Sequence, residues 1–341
     1  MNQRIYQFAV FYTFLASCFV IFGCASNEVS SDVPTWAKNE WRQEFPDSKF
    51  LSARGIATES EAAKTDALAQ ISQYIGTSIN ANLSTSVQTI EKNGVLDETF
   101  SIQNEVAIKS QVDLFGVEFT KPYFLKKEKQ WYCVAYINRD KAWEQYVPHI
   151  EVAKKVFYGF YREAENESEP LLSCAYYKKS WEKGKDFLTQ LEYGRLITPI
   201  REKEYSPDRN TLALIPSKIA SEMNNILLQI EIEGDFGGII ETSLEKAFKK
   251  SGFTTAKNGN YKVFAQINPN ATGKEPIAVF PGIDLKIQGT EGRTVYSYKD
   301  RVLEKTTGFS LETAQRKSYP KLAEKIEQNL PDDFSKIIEA K

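Results

Sequence analysis

The chain carries a single histidine, His149, in 341 residues. A histidine-based metal site needs several ligands and a hydrolytic triad needs a partnered base, so neither can be built around it alone. His149 follows Pro148 in an aromatic, helix-forming stretch, where a structural or surface role is the plain reading. Cysteine is scarce too: there are four, none in a C-x-x-C pair, which removes the common redox and zinc spacings. No excess charge of one sign is present. The 43 basic and 45 acidic residues are interspersed, and no basic stripe marks a nucleic-acid surface. Apolar runs are short, and none reaches the roughly 18 residues that a membrane-crossing helix needs.

What is present begins at the N-terminus. Met1 to Arg4 is a short basic start, and Phe8 to Phe22 is an apolar run of fifteen residues. The run closes at Ile21-Phe22-Gly23-Cys24 and gives way to the polar segment Ala25 to Ser31. This is the layout of a bacterial lipoprotein signal: residues 1–23 removed, Cys24 lipidated, and 24–33 serving as a flexible tether. Plain secretory cleavage and an uncleaved anchor stay open as alternatives. Phe19 and Phe22 fit an ordinary small-x-small cleavage site poorly, and Phe22 is also unusual ahead of a lipobox cysteine. No basic stop-transfer cluster follows, the next cation after Arg4 being Lys38. Several acyl chains on one residue hold a protein firmly at a membrane. Ala25, rather than Asp, follows Cys24, which favours the outer membrane and leaves the periplasmic or surface face open.

Loss of residues 1–23 removes one cation, Arg4, and leaves 42 basic against 45 acidic residues. The remaining length suggests about two domains, each able to bury a core. Aromatics are plentiful, with 17 Tyr and 21 Phe, yet the mean hydropathy of −0.42 describes a soluble body. Cys18 leaves with the signal and Cys24 takes lipid, so two thiols remain. Cys133 lies in the strand-like Gln130 to Ile137 and Cys174 in a helical stretch. In an oxidising compartment they could form a disulfide, and the competing reading is two separately buried thiols.

The spacing predicts a strand near Lys49 to Ala57, ended near Gly55, and then a long helix with a Thr58/Glu61 capping box. Ala67, Ile71, Ile75, Ile79, Leu83 and Val87 recur every four residues and form one apolar stripe, suited to packing on a sheet. Asn93-Gly94 ends the helix. Alternating pairs then predict strands at Phe100-Ile102, Val106-Ile108, Val112-Leu114, Val117-Phe119 and Tyr123-Leu125, before the clear strand Gln130 to Ile137. From Arg139 to Ile200 the pattern is helical, with Pro148 expected to kink or stop it. Charged Arg201 to Asn210, containing Pro207, reads as a linker. The last third predicts strands at 226–232, 261–267, 277–287 and 293–303, a helix over 236–250, a helix after Ser310, and a short final helix over 332–340.

With these residues in view, the chain resembles the LPP20-type lipoproteins of bacterial envelopes. The match rests on Gly23-Cys24, Pro34-Thr35-Trp36, Phe50 to Ala57, the alanine-rich Ala62 to Ala69, and Phe115 to Ile137. It covers about a third of the chain. The resemblance implies an outer-membrane lipoprotein that brings no catalytic residues, some members being linked to flagellar or envelope structure. The C-terminal unit is similar in pattern to strand-helix-strand modules of the TolB amino-terminal domain and curli-type lipoproteins.

Other candidate chemistry is thin. Gly234-Asp235-Phe236-Gly237-Gly238 sits between a strand and a helix, where amides could cradle an anion, but it lacks a Walker lysine and places Asp235 at that spot. A turn capped by Asp235 is the simpler reading. Glu231 and Glu233 share a strand face without an opposed partner pair. Trp36, Trp41, Trp131 and Tyr132 could form a ligand platform, or pack as core.

The expected fold is α+β: an α+β domain over 34–138, a helical insert over 139–200, a linker over 201–210 and an α/β domain over 211–341. The expected role is that of a lipid-anchored outer-envelope protein, non-catalytic, working through an envelope protein partner or self-association. The alternative is binding of a small ligand or glycan. No nucleic acid, cofactor or metal is expected.

Overall fold

The computed structural model describes residues 33–38, 40–94 and 116–337. The signal segment, Cys24, nearly all of the tether and the strands expected between 100 and 114 lie outside the described residues.

Strand β1 (Phe50–Ala57) runs antiparallel to β4 (Gln130–Asn138), with Phe50 opposite Asn138 and Ala57 opposite Trp131. On the far side of β4, β2 (Val117–Phe119) and β3 (Tyr123–Leu125) pair with it in succession. The alternation of β4 sorts its side chains. Ala135 and Ile137 enter the main core, while Tyr132 and Val134 join an aromatic cluster with Trp36, Ala37 and Phe45. Trp36 and Tyr132 therefore act as core residues, and Trp131 packs on Phe124 with ring centroids 5.3 Å apart.

Helix α1 (Ser60–Gly94) covers the main-core face with its buried stripe of Ala67, Ile71, Ile75, Ile79 and Leu83. It begins one residue beyond the start that a Thr58 cap would set. Gly55 sets how closely the helix sits. A Cβ there would lie 2.0 Å from the Ala63 carbonyl oxygen and 2.3 Å from the Ala67 amide nitrogen. The strand continues through Gly55, so this glycine is a contact point rather than a stop.

Asn138 caps α2 (Arg139–Asn166), accepting from the amides of Asp140 and Lys141 at 3.1 Å each. The helix continues through Pro148 and packs as a hairpin on α3 (Pro170–Ile197). Residues 201–210 are not the expected linker. They form the end of α4 (Pro199–Glu202), a 3-10 turn and the start of α5 (Ser206–Asn224), burying Glu202, Tyr205 and Asp208. Pro199 and Pro207 sit in first turns, where a missing amide donor costs nothing. Three charges of this stretch, Glu202, Asp208 and Arg209, are drawn into ion pairs in which one partner is buried. Arg209 reaches Glu202 at 2.7 Å and the fully buried Glu192 at 2.9 Å, and Arg195 meets Glu192 at 2.6 Å.

The second sheet has the order β10-β9-β7-β5-β6. Its strands are β5 (Leu227–Glu233), β6 (Thr254–Thr255), β7 (Tyr261–Asn268), β9 (Gly282–Gln288) and β10 (Thr294–Arg301). Strand β5 is parallel to both neighbours, and α6 (Ile239–Lys250) leads from it towards β6. The strand expected over 277–287 is divided. Its first part, β8 (Ile277–Val279), pairs with β11 (Thr306–Gly308), and Pro281, which has no amide to donate, separates it from β9. Ser310 caps α7 (Leu311–Phe334), accepting from the Thr313 amide at 3.1 Å. Residues 332–334 close that helix instead of opening another, and α7 passes through Pro320 and Pro331. The fold is α+β, and one hydrophobic cluster extends from Leu51 through the helices to Ile337.

Tyrosines fasten these elements by donating to carboxylates. Tyr205 reaches Glu151 at 2.6 Å and Tyr158 reaches Asp208 at 2.7 Å, while Tyr177 meets Glu165 and Tyr261 meets Glu169. Burial, reinforced by the adjacent carboxylate, raises all four phenols, that of Tyr177 to about 12.

Three outcomes follow from this packing. Gly55→Ala forces α1 off its sheet and lowers unfolding free energy by about 1–3 kcal/mol in denaturant titrations. Arg209→Ala removes the ion-pair partner of Glu202 and leaves Glu192 with Arg195 alone, and costs about 3–5 kcal/mol by the same measurement. Phenols raised on folding stabilise the native state fully below the ordinary value of 10.0 and lose that contribution as pH climbs through the folded value. The melting temperature should therefore fall from about pH 10 upward, with phenolate absorbance lagging behind that of the unfolded chain.

Candidate functional site

Helix α3 places Leu171, Cys174, Lys178, Trp181 and Lys185 at spacings of three and four, which puts them on one stripe. That stripe lines a cavity of about 570 Å³ closed on its other sides by the turn after α6 and the C-terminal end of α7. Ser251 and Phe253 come from the turn, and Phe334 and Ile337 from the end of the chain described here. The volume falls within the range of roughly 300–1,000 Å³ typical of small-molecule sites.

The lining is graded. Leu171, Cys174, Trp181, Phe253, Phe334 and Ile337 are buried and apolar in character. Lys250 and Lys336 stand exposed at the mouth. Between them lie Lys178, Lys179 and Lys185. Five lysines thus meet two carboxylates, Glu182 and Asp332. Lys178 donates to the Ser251 carbonyl at 3.2 Å, and its ammonium lies 4.7 Å from the centre of the Phe253 ring. Burial pulls its pKa below the ordinary lysine value. Burial alone would raise the Glu182 carboxyl, but Lys179 at 2.9 Å and Lys183 at 3.2 Å outweigh it and hold it below the usual range. The Trp181 indole N–H is buried and has no hydrogen-bond partner among the described residues. Such a group calls for a specific explanation.

The residues singled out in the sequence lie elsewhere or take structural roles, Cys174 excepted. Cys133 and Cys174 are both free thiols, each buried on its own element, so the disulfide reading gives way to the two-thiol one. Burial raises both thiols and so keeps them protonated and poorly nucleophilic. His149 is exposed, stacks on Tyr146 with ring centroids 5.7 Å apart, and borders an open groove with Val152 and Val156. Asp235 occupies the N-terminal amides of α6 itself, accepting from Ile240 at 3.2 Å and Glu241 at 3.1 Å, which leaves no anion cradle there. Glu231 lies 3.5 Å from Lys262 on the neighbouring strand. Among the described residues no group of three or more His, Cys, Asp or Glu could hold a metal ion, and no helix is long and apolar enough to cross a membrane. The cavity itself escaped the sequence because its walls come from three distant segments. One signal was readable: lysines at 178 and 185 share a helical stripe with Leu171, Cys174 and Trp181.

No protein-family model, LPP20-type included, and no curated protein matches the chain. Among solved structures, a minor lipoprotein from Acinetobacter baumannii is 16% identical with a TM-score of 0.24, the match covering 31% of this chain and 93% of that one. A secreted protein from Helicobacter pylori is 16% identical with a TM-score of 0.32, over 82% of this chain and 97% of that one. A Xanthomonas campestris protein of a family named only by number is 16% identical with a TM-score of 0.19, over 33% of this chain and 80% of that one.

Proposed function

We propose that this chain is a lipid-anchored protein of the outer envelope that binds a small anionic ligand without transforming it. The observation that carries the ligand is the lysine-rimmed cavity beside α3, with its buried apolar floor. The anchor rests on the sequence: an apolar segment of signal length running into Gly23-Cys24. A non-catalytic role fits the lining. Its one thiol, Cys174, is kept protonated by burial, and its carboxylate Glu182 is tied to two lysines. A second reading, association with an envelope protein or a second copy, is favoured by one surface. Strand β10 hydrogen-bonds only to β9 among the described strands, and Leu303, just beyond it, is 73% exposed.

Two measurements test the proposal. Metabolic labelling with a fatty-acid analogue should mark the native chain, and Cys24→Ser should abolish the mark; a native chain without label removes the anchor. Native mass spectrometry of protein released from membranes should show a non-covalent small-molecule adduct that the Lys178→Met/Lys185→Met double variant loses. Protein that carries no adduct, or a double variant that keeps it, overturns the ligand reading.

A further inference from the structure

The tether enters the described structure at one corner of the first sheet. Val33 and Trp36 pack in the same aromatic cluster as Tyr123, Leu125 and Tyr132, and the Trp36 and Tyr123 rings meet edge to face at 6.3 Å. The last three residues belong to the hairpin of β3 and β4, paired as Tyr123 with Tyr132, Phe124 with Trp131 and Leu125 with Gln130. Its tip, Lys126-Lys127-Glu128-Lys129, is exposed throughout. The tether therefore leaves the body beside this tip.

Residues 121–129 carry four lysines and one acid, in a chain whose total charge leans slightly acidic. That acid, Glu128, accepts from the Tyr132 phenol, which ties the tip to the strand beneath it. Lys38 and Arg54 join the same corner, Arg54 donating to the Lys38 carbonyl at 2.6 Å with its guanidinium 5.3 Å from the centre of the Tyr132 ring. Six cations thus stand against Glu128 and the two acids of the tether, Glu28 and Asp32. Phe124, at the base of the tip, is 38% exposed and packs on Trp131. Lysines around a half-exposed aromatic pair suit the headgroup layer of a bilayer, which offers anionic groups at a half-dry boundary.

We infer that the β3–β4 tip is a second membrane contact, seating on anionic headgroups of the bilayer that holds the Cys24 lipid. The inference rests on the anchor reading above and is independent of the cavity. Placement carries it. A ten-residue tether spans at most about 35 Å and ends beside the tip, so the lipid brings these lysines to the surface. Attraction to a charged surface fades over about 8–10 Å at ordinary ionic strength, so proximity has to come from the lipid and contact from the lysines. An acyl anchor combined with a basic patch is the two-signal arrangement that holds proteins firmly at membranes. The lipid fixes one point, and the tip decides which side of the body faces the bilayer.

The test uses the native lipidated chain in vesicles of phosphatidylcholine, alone or mixed with phosphatidylglycerol. Flotation with the neutral vesicles reports the lipid anchor by itself. Brief acetylation read by mass spectrometry then reports how freely each lysine is reached. In the mixed vesicles Lys126 and Lys127 should react about fivefold more slowly than in the neutral ones, the change that one lysine's attraction to an anionic surface supports. Lys286, exposed on β9, should react alike in both. In about 1 M salt, where screening acts within about 3 Å, the difference should vanish. Lys126→Glu/Lys127→Glu alters only exposed tip residues, should keep the native circular dichroism, and should abolish the slowing at Lys121 and Lys129. A chain that floats with both vesicles yet acetylates equally in them overturns the contact and leaves the anchor standing. Slowing shared by Lys286, kept in high salt or kept by the double variant also overturns it. Failure to float with neutral vesicles removes the anchor, and this inference with it.

Discussion

Helix α3 is buried along most of its length, and each polar group on its inner faces must be matched inside the protein or border a cavity. That constraint organises much of the structure. Leu188, Leu191 and Phe187 settle into the core without difficulty, but Ser173, Lys185 and Glu192 are buried on the same helix. Ser173 returns its hydroxyl to the Ala164 carbonyl at 3.0 Å, closing the turn between α2 and α3. Glu192 draws Arg195 and Arg209 to it, which forces the chain after α3 to stay folded and helical. A buried carboxylate without those partners would cost several kcal/mol, so the apparent linker becomes a structural clamp. At the opposite part of α3, Lys178, Trp181 and Lys185 border the cavity.

The legible parts of the fold are those whose determinants are local. The stripe from Ala67 to Val87 names a helix and its inner face at once: its first five residues are buried and Val87 is partly buried. The alternation of Gln130 to Ile137 names a strand, and Ser310 marks a helix start. The errors have equally physical causes. Pro148 is expected from sequence to kink or stop its helix, yet tertiary packing carries the helix across it. Arg201 to Asn210 was read by charge density, which does not say whether a charge meets water or another charge. Gly55 was read as the end of a strand because sequence offers no view of the helix backbone lying 2.0 Å from where its Cβ would be.

The tyrosine content, plain in the composition, has a use that composition could not reveal. A carboxylate buried between two elements needs a donor, and a phenol reaches further than a serine while adding a large apolar ring to the seam. Tyr205 on the turn after α4 reaches Glu151 on α2, and Tyr261 on β7 meets Glu169, beside the start of α3. The second of these fixes the N-terminal end of α3 against the second sheet, and Leu171 follows immediately, donating its amide to the same phenol oxygen at 3.2 Å. The position of the cavity lining thus depends on a seam that the sequence shows only as scattered tyrosines and glutamates.

Anchor and cavity bear on each other through distance. Ten residues, 24–33, precede Pro34 and the first described helical turn, and a chain of that length spans at most about 35 Å. Lipidation of Cys24 would hold the body within that distance of a bilayer, where ligands gathered at the membrane surface meet it at a higher concentration than in bulk solution. On that proposal the anchor decides more than an address: it sets the effective concentration at which ligands reach the body.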